Sequence, residues 1–96
     1  MEKKSRKLVI VRTYSAGVHF GELVSKKGKE VTLINSRRIW YWNGACSLSQ
    51  LAVSGGSDDS KISVPVQEIE LTEAIEIITC TKEAAKWLNE VVAWKK

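Results

Sequence analysis

The chain has 96 residues, enough apolar surface for one modest core and not for two, so residues 1–96 are expected to form a single domain. Cys46 and Cys80 show no metal-ligand spacing and His19 is the sole histidine, which leaves no ordinary ligand set for structural zinc. The basic lead ends in an apolar run, Leu8 to Val11, that Arg12 cuts short, so it is too brief for a signal peptide or a membrane span. Two reduced, buried thiols and a cytoplasmic protein with no membrane partner are the corresponding expectations.

The formal charge of +4 is unevenly spread: residues 1–48 carry +7 and residues 49–96 carry −3. Such a split suits solubility, head-to-tail self-association or an anionic ligand. The apolar side chains look too numerous for a lone small domain, and oligomerisation is a common way to bury them, so a homo-oligomer is expected.

In chain order, Lys7 to Thr13 reads as a strand with both faces mostly apolar, the pattern of a central strand covered by a helix on one side and a neighbouring subunit on the other. Ser15-Ala16-Gly17 is a turn in which Gly17 supplies a positive φ. Val18 to Ser25 alternates, setting Val18, Phe20, Glu22 and Val24 against His19, Gly21 and Leu23, and Lys26-Lys27-Gly28-Lys29 closes a hairpin. Glu30 to Asn35 and Arg37 to Trp42 read as two further strands.

Ser47 with Gln50 three positions on matches a capping box and predicts a short helix from Leu48 to about Val53. The Gly, Ser and Asp run of residues 54–60 reads as a mobile surface loop, a connector with the alternative role of a lid. Ile62 to Leu71 alternates, with Pro65 restricting it to an edge or a bend, and Glu73 to Ile78 reads as strand. Thr81 is the expected N-cap of a last helix whose stripe is Ala84, Trp87, Leu88 and Val91, ending near Trp94. The whole reads as α+β: an antiparallel meander of about four to six strands, a short helix after the fourth strand and a C-terminal helix packed on the sheet.

Candidate chemistry concentrates in Arg37 to Gln50. A regular strand puts Arg38, Trp40 and Trp42 on one face and Arg37, Ile39 and Tyr41 on the other. Guanidinium pairs with phosphate and indole stacks on a base, a stack contributing about 1–3 kcal/mol. The alternative is that the tryptophans are core. The small residues from Asn43 to Ser47 leave the amides near Gly44 open to an anion, although neither a P-loop nor a dinucleotide fingerprint is present.

Around the first turn stand Arg12, Tyr14, Ser15 and His19. An arginine within an apolar strand needs an acid, a carbonyl or a ligand, and Glu22 is one possible partner. No spacing selects a serine to act with His19, so no catalytic residue and no enzymatic activity are expected. The acidic set Glu68, Glu70, Glu73 and Glu76 reads as a solvated face, so neither a metal nor a cofactor is expected.

Two segments, VRTYSAGVHFGEL at Val11 to Leu23 and RRIWYWNGACSLSQLA at Arg37 to Ala52, resemble a family of small uncharacterised phage and prophage proteins, a domain of unknown function. LTEAIEII at Leu71 to Ile78 and the terminal Trp94 extend the likeness less specifically. The resemblance implies a phage setting in the host cytoplasm and carries over no catalytic residue. By analogy with small phage proteins that sequester cyclic nucleotides or cyclic ADP-ribose derivatives, it adds immune evasion to the possible roles.

The resulting expectation is a non-enzymatic oligomer that sequesters a small phosphorylated nucleotide in its pockets. Arg12, Arg37 and Arg38 would meet phosphate, and Trp40, Tyr41 and Trp42 would stack. Gly44 and Ser47 would complete the anion contacts, with Tyr14, Ser15 and Asn35 as further polar contacts. A nucleic-acid-binding module and a structural protein or inhibitor of a host enzyme are the alternatives.

Overall fold

The computed structural model describes residues 7–45, 47–57 and 59–94. In chain order its elements are β1 (Leu8–Thr13), β2 (Val18–Lys27), β3 (Glu30–Tyr41), α1 (Leu48–Ser54), β4 (Lys61–Ile62), β5 (Val66–Leu71), β6 (Ala74–Thr79) and α2 (Lys82–Glu90). All strand pairs are antiparallel, in the order β4-β3-β2-β1-β6, with β5 pairing the first half of β3 and β4 its end. The architecture is the expected α+β one, a six-stranded antiparallel sheet with two helices.

β4 and β5 occupy the same side of β3 and form one interrupted edge, broken at Ser63-Val64-Pro65, where proline cannot donate to a ladder. Only Thr72 and Glu73 then separate β5 from β6, which lies at the opposite edge beside β1. So short a link between the two edges requires the sheet to curl. The curl is fastened where the Ala74 N–H donates to Lys29 O and the Tyr14 N–H to Glu73 O, each at 3.0 Å.

Curling gives the small chain two apolar clusters. On the convex face, Ile10, Phe20, Ile39 and Ile62 pack beneath Leu51 and Ala52 of α1 and Ala85 and Leu88 of α2. On the concave face, Val9, Val11, Val31, Leu33 and Leu71 pack together. The doubly apolar pattern of β1 is thus answered within one chain: a helix layer covers one side and the sheet's own far strands cover the other.

The expected break between two strands near residue 36 is a bulge inside one twelve-residue strand, so α1 follows the third strand and not the fourth. Phe20 pairs with Arg37 and Glu22 with Ile34, leaving Asn35 and Ser36 both opposite Gly21. Asn35 takes the extra residue's left-handed conformation at φ 49°, which asparagine tolerates better than most side chains. Gly21 lies so close to β3 that a Cβ there would stand 3.1 Å from Leu33 Cβ and 3.2 Å from Ser36 Cα.

Both helix starts match expectation: Ser47 Oγ accepts from the Gln50 N–H at 3.2 Å and Thr81 Oγ1 from the Ala84 N–H at 3.1 Å. The last helix ends at Glu90, earlier than expected, because Val91 turns to extended backbone and the chain runs on to β4, where the Trp94 N–H donates to Ile62 O at 2.8 Å.

Candidate ligand-binding site

The bulge at Asn35 decides which side chains of β3 meet the concave face. Ahead of it the odd-numbered Val31 and Leu33 point inward; beyond it the added residue reverses the alternation, and Ser36, Arg38 and Trp40 line the concave side while Arg37 and Ile39 turn to the convex one. His19 joins them from β2, directly opposite Arg38. Ser63, Val66 and Ile69, from the interrupted β4–β5 edge, complete a cavity of about 270 Å³.

A second hollow, of about 440 Å³, shares Arg38 and Trp40 with the first and is lined also by Gly17, Val18, Ile39 and Trp42. Arg38 and Trp40 therefore form a wall common to both. The Arg38 guanidinium is exposed and has no carboxylate partner among the described residues. Its backbone is held firmly, since the Arg38 N–H donates to Ser63 Oγ at 2.7 Å and Arg38 O accepts from the Ser63 N–H at 2.9 Å. Trp40 is 59 % exposed and meets Trp94 with ring centroids 5.2 Å apart at 54°. Lys61 Nζ stands 5.0 Å from the centroid of the Trp94 ring, a cation–π contact that extends the basic and aromatic surface.

Apart from Trp42, which lines the second hollow, the remaining sequence candidates do not join this group. Arg37 is turned inward, 3 % exposed, where Nε donates to Ser63 O at 2.7 Å and Nη1 to Leu88 O at 2.8 Å. It ties the broken edge strand to the C-terminal turn of α2, whose carbonyls carry the negative end of the helix dipole, and has no face left for a phosphate. Burial pulls its pKa below the usual arginine value.

Arg12 is neutralised by Glu76 of β6, Nε to Oε1 at 3.0 Å, and not by Glu22. Glu22 instead accepts from Asn35 Nδ2 at 2.9 Å, and Glu73 accepts from Ser15 Oγ at 3.0 Å. Tyr14 and Tyr41 are exposed outside both hollows, and Trp42 packs partly on the convex core.

Gly44 has the positive φ of 85° that glycine permits, but Ser57 lies against it and a Cβ there would overlap Ser57 Oγ. Ser57 belongs to the Gly-Ser-Asp segment, which folds back onto Asn43: the Ser57 N–H donates to Asn43 O, Ser60 Oγ accepts from the Asn43 N–H, and Asp59 Oδ2 accepts from Asn43 Nδ2. These bonds tie the segment down as a closed turn, unlike a free lid. Ser47 spends its hydroxyl on the cap of α1.

His19 and Ser36 are the residues that sequence reasoning left out of the site. His19 Nε2 lies 3.0 Å from Ala16 O, and burial, with the Arg38 charge nearby, lowers its pKa so that the ring is neutral at physiological pH. Ser36 is buried, and its hydroxyl has no hydrogen-bond partner among the described residues. The face of His19 was legible from the alternation of β2, whereas that of Ser36 depends on the bulge parity, which the residue pattern does not show. Cys80 is a free thiol, pushed by burial up to about 12, and stays protonated; Cys46 lies outside the described residues.

The chain matches the model of DUF6948, a domain of unknown function, over residues 6–88. It belongs to that family. No curated protein and no solved structure matches it. No described helix is long and apolar enough to cross a membrane.

Proposed function

We propose that this DUF6948 protein is a non-enzymatic binder that holds a small phosphorylated nucleotide at the Arg38–Trp40 wall. The observation that carries the reading is an exposed guanidinium, free of carboxylate among the described residues, beside an exposed indole, both lining two hollows. Arg38 offers phosphate a forked pair of N–H donors, and Trp40 offers a ring edge and face to a base. Both hollows are open, and in the expected homo-oligomer a second copy would close over the ligand. In the phage setting that the Val11–Leu23 and Arg37–Ala52 segments resemble, such a binder withdraws a cyclic-nucleotide or cyclic ADP-ribose-type immune signal from the host cytoplasm.

A thermal-shift panel of cyclic dinucleotides, cyclic trinucleotides and cyclic ADP-ribose isomers tests this, because a ligand held by the native state raises Tm by mass action. At least one member is expected to raise Tm, and Arg38→Ala to abolish the shift while the circular dichroism stays that of wild type. A full shift in Arg38→Ala removes this arginine from the site.

Lys61 over Trp94 favours a second reading, in which the surface continues past the hollow along single-stranded nucleic acid.

A further inference from the structure

The concave hollow holds a group that the fold itself does not use. Ser36 is 1 % exposed, lines the cavity, and leaves its hydroxyl unpaired among the described residues. A buried polar group without a partner is destabilising, so its place beside a cavity points to something the cavity receives. Facing the same space is His19, also 1 % exposed. A carbonyl can only accept, so Nε2 carries the proton donated to Ala16 O, and in the neutral ring Nδ1 is left with a lone pair.

The rest of the lining says what kind of group fits. Val66, Ile69 and the Trp40 indole are apolar, and the one charged side chain in the lining is Arg38. A phosphate taken fully inside, past the exposed Arg38, would exchange its hydration for one unpaired hydroxyl, a neutral imidazole and apolar walls, since the Ser63 hydroxyl is already spent on Val64 O and the Arg38 N–H; a flat heterocycle would bury its faces and present donors and acceptors at its edge. At about 270 Å³ the cavity falls below the roughly 300–1,000 Å³ of sites that enclose a whole drug-sized ligand, and suits one ring system with the remainder outside.

We propose that the concave hollow is a base-binding subsite: a nucleobase inserts between Val66, Ile69 and the Trp40 indole, its edge exchanging hydrogen bonds with the Ser36 hydroxyl and His19 Nδ1, while its phosphate stays at the mouth on Arg38. This rests on the nucleotide-binding reading above and adds which end of the ligand enters.

Calorimetric titration of the full chain with the monophosphates of adenosine, guanosine, cytidine and uridine, and with ribose phosphate as the base-free control, tests it. Wild type is expected to bind at least one nucleotide more than tenfold tighter than ribose phosphate. Ser36→Ala is expected to weaken that nucleotide roughly tenfold, leave ribose phosphate unchanged, and melt no lower than wild type. Val66→Trp, which fills the hollow from an exposed edge position, is expected to block the nucleotide and spare ribose phosphate. Unchanged nucleotide affinity in both variants, or equal losses for nucleotide and ribose phosphate, overturns the subsite while Arg38-dependent binding stands. Failure of wild type to bind any of the four nucleotides more tightly than ribose phosphate also overturns the subsite, whereas the binding reading itself stands or falls with the thermal-shift panel of cyclic nucleotides.

Discussion

Adjacent arginines in this strand have opposite fates. Arg37 spends its donors on Ser63 O and Leu88 O inside the molecule, whereas Arg38, one position on, keeps its guanidinium in solvent. A buried guanidinium bonded to carbonyls is a structural clamp; an exposed one beside an indole is available for recognition. His19 is the third residue whose environment sets its chemistry. Its pKa lies below the ordinary 6.5 through burial, with the Arg38 charge acting in the same direction. The unfolded chain therefore binds more protons than the fold near that value, and stability falls as the pH drops through it. Urea unfolding of wild type is expected to show a midpoint that declines between about pH 7.5 and 5.5, and His19→Gln to flatten that decline. Equal slopes in the two proteins would mean that His19 titrates alike in both states.

At the scale of elements, β3 and its bulge matter most. Twelve residues of regular strand would have carried the parity of Val31 and Leu33 through to Arg37 and sent Arg38 to the convex face. Asn35 at φ 49° absorbs the extra residue, and its amide is pinned to Glu22 at 2.9 Å. Gly21 is what allows the partner strand to approach. Gly21→Ala would press a methyl against Leu33 Cβ, Ile34 O and Ser36 Cα at 3.1–3.2 Å, contacts from backbone and a buried side chain that cannot swing away. The expected cost is about 1–3 kcal/mol, read as a lower urea midpoint, together with weaker nucleotide binding because Ser36 shifts. An unaltered midpoint would show that β3 moves freely there. The segment after α2 also has a defined task, since residues 91–94 bring Trp94 onto Trp40 and under Lys61.

For the molecule as a whole, curling separates labour between two faces. The convex face is closed by α1 and α2, and the concave face is packed at Val9, Val11, Val31, Leu33 and Leu71 but open at the end where Arg38 and Trp40 stand. A hollow with one guanidinium engages few phosphates, while a basic strip along nucleic acid engages many, and the affinity of the latter falls steeply with log salt concentration. Nucleotide affinity is expected to change with a slope of about −1 in log–log form, at one ligand per chain. A slope of about −4 or steeper with single-stranded DNA, and no response to nucleotides, would favour the nucleic-acid reading.

Much of the fold was legible locally. A short apolar, β-branched run marked β1, period-two alternation marked β2, Gly17 and Gly28 marked the turns, Pro65 marked the broken edge, and Ser47 and Thr81 marked the helix starts, because each feature depends on a few neighbouring residues. That Arg38 and Trp40 share one face of their strand was legible for the same reason. What only the tertiary structure decided was parity and closure. The extra residue at Asn35 has meaning only against Gly21 of the partner strand, and the two-residue link from β5 to β6 bends a sheet only because those strands lie at opposite edges. Register and curvature arise from pairing between distant segments, so they chose Ser36 and His19 for the hollow and withdrew Arg37 from it.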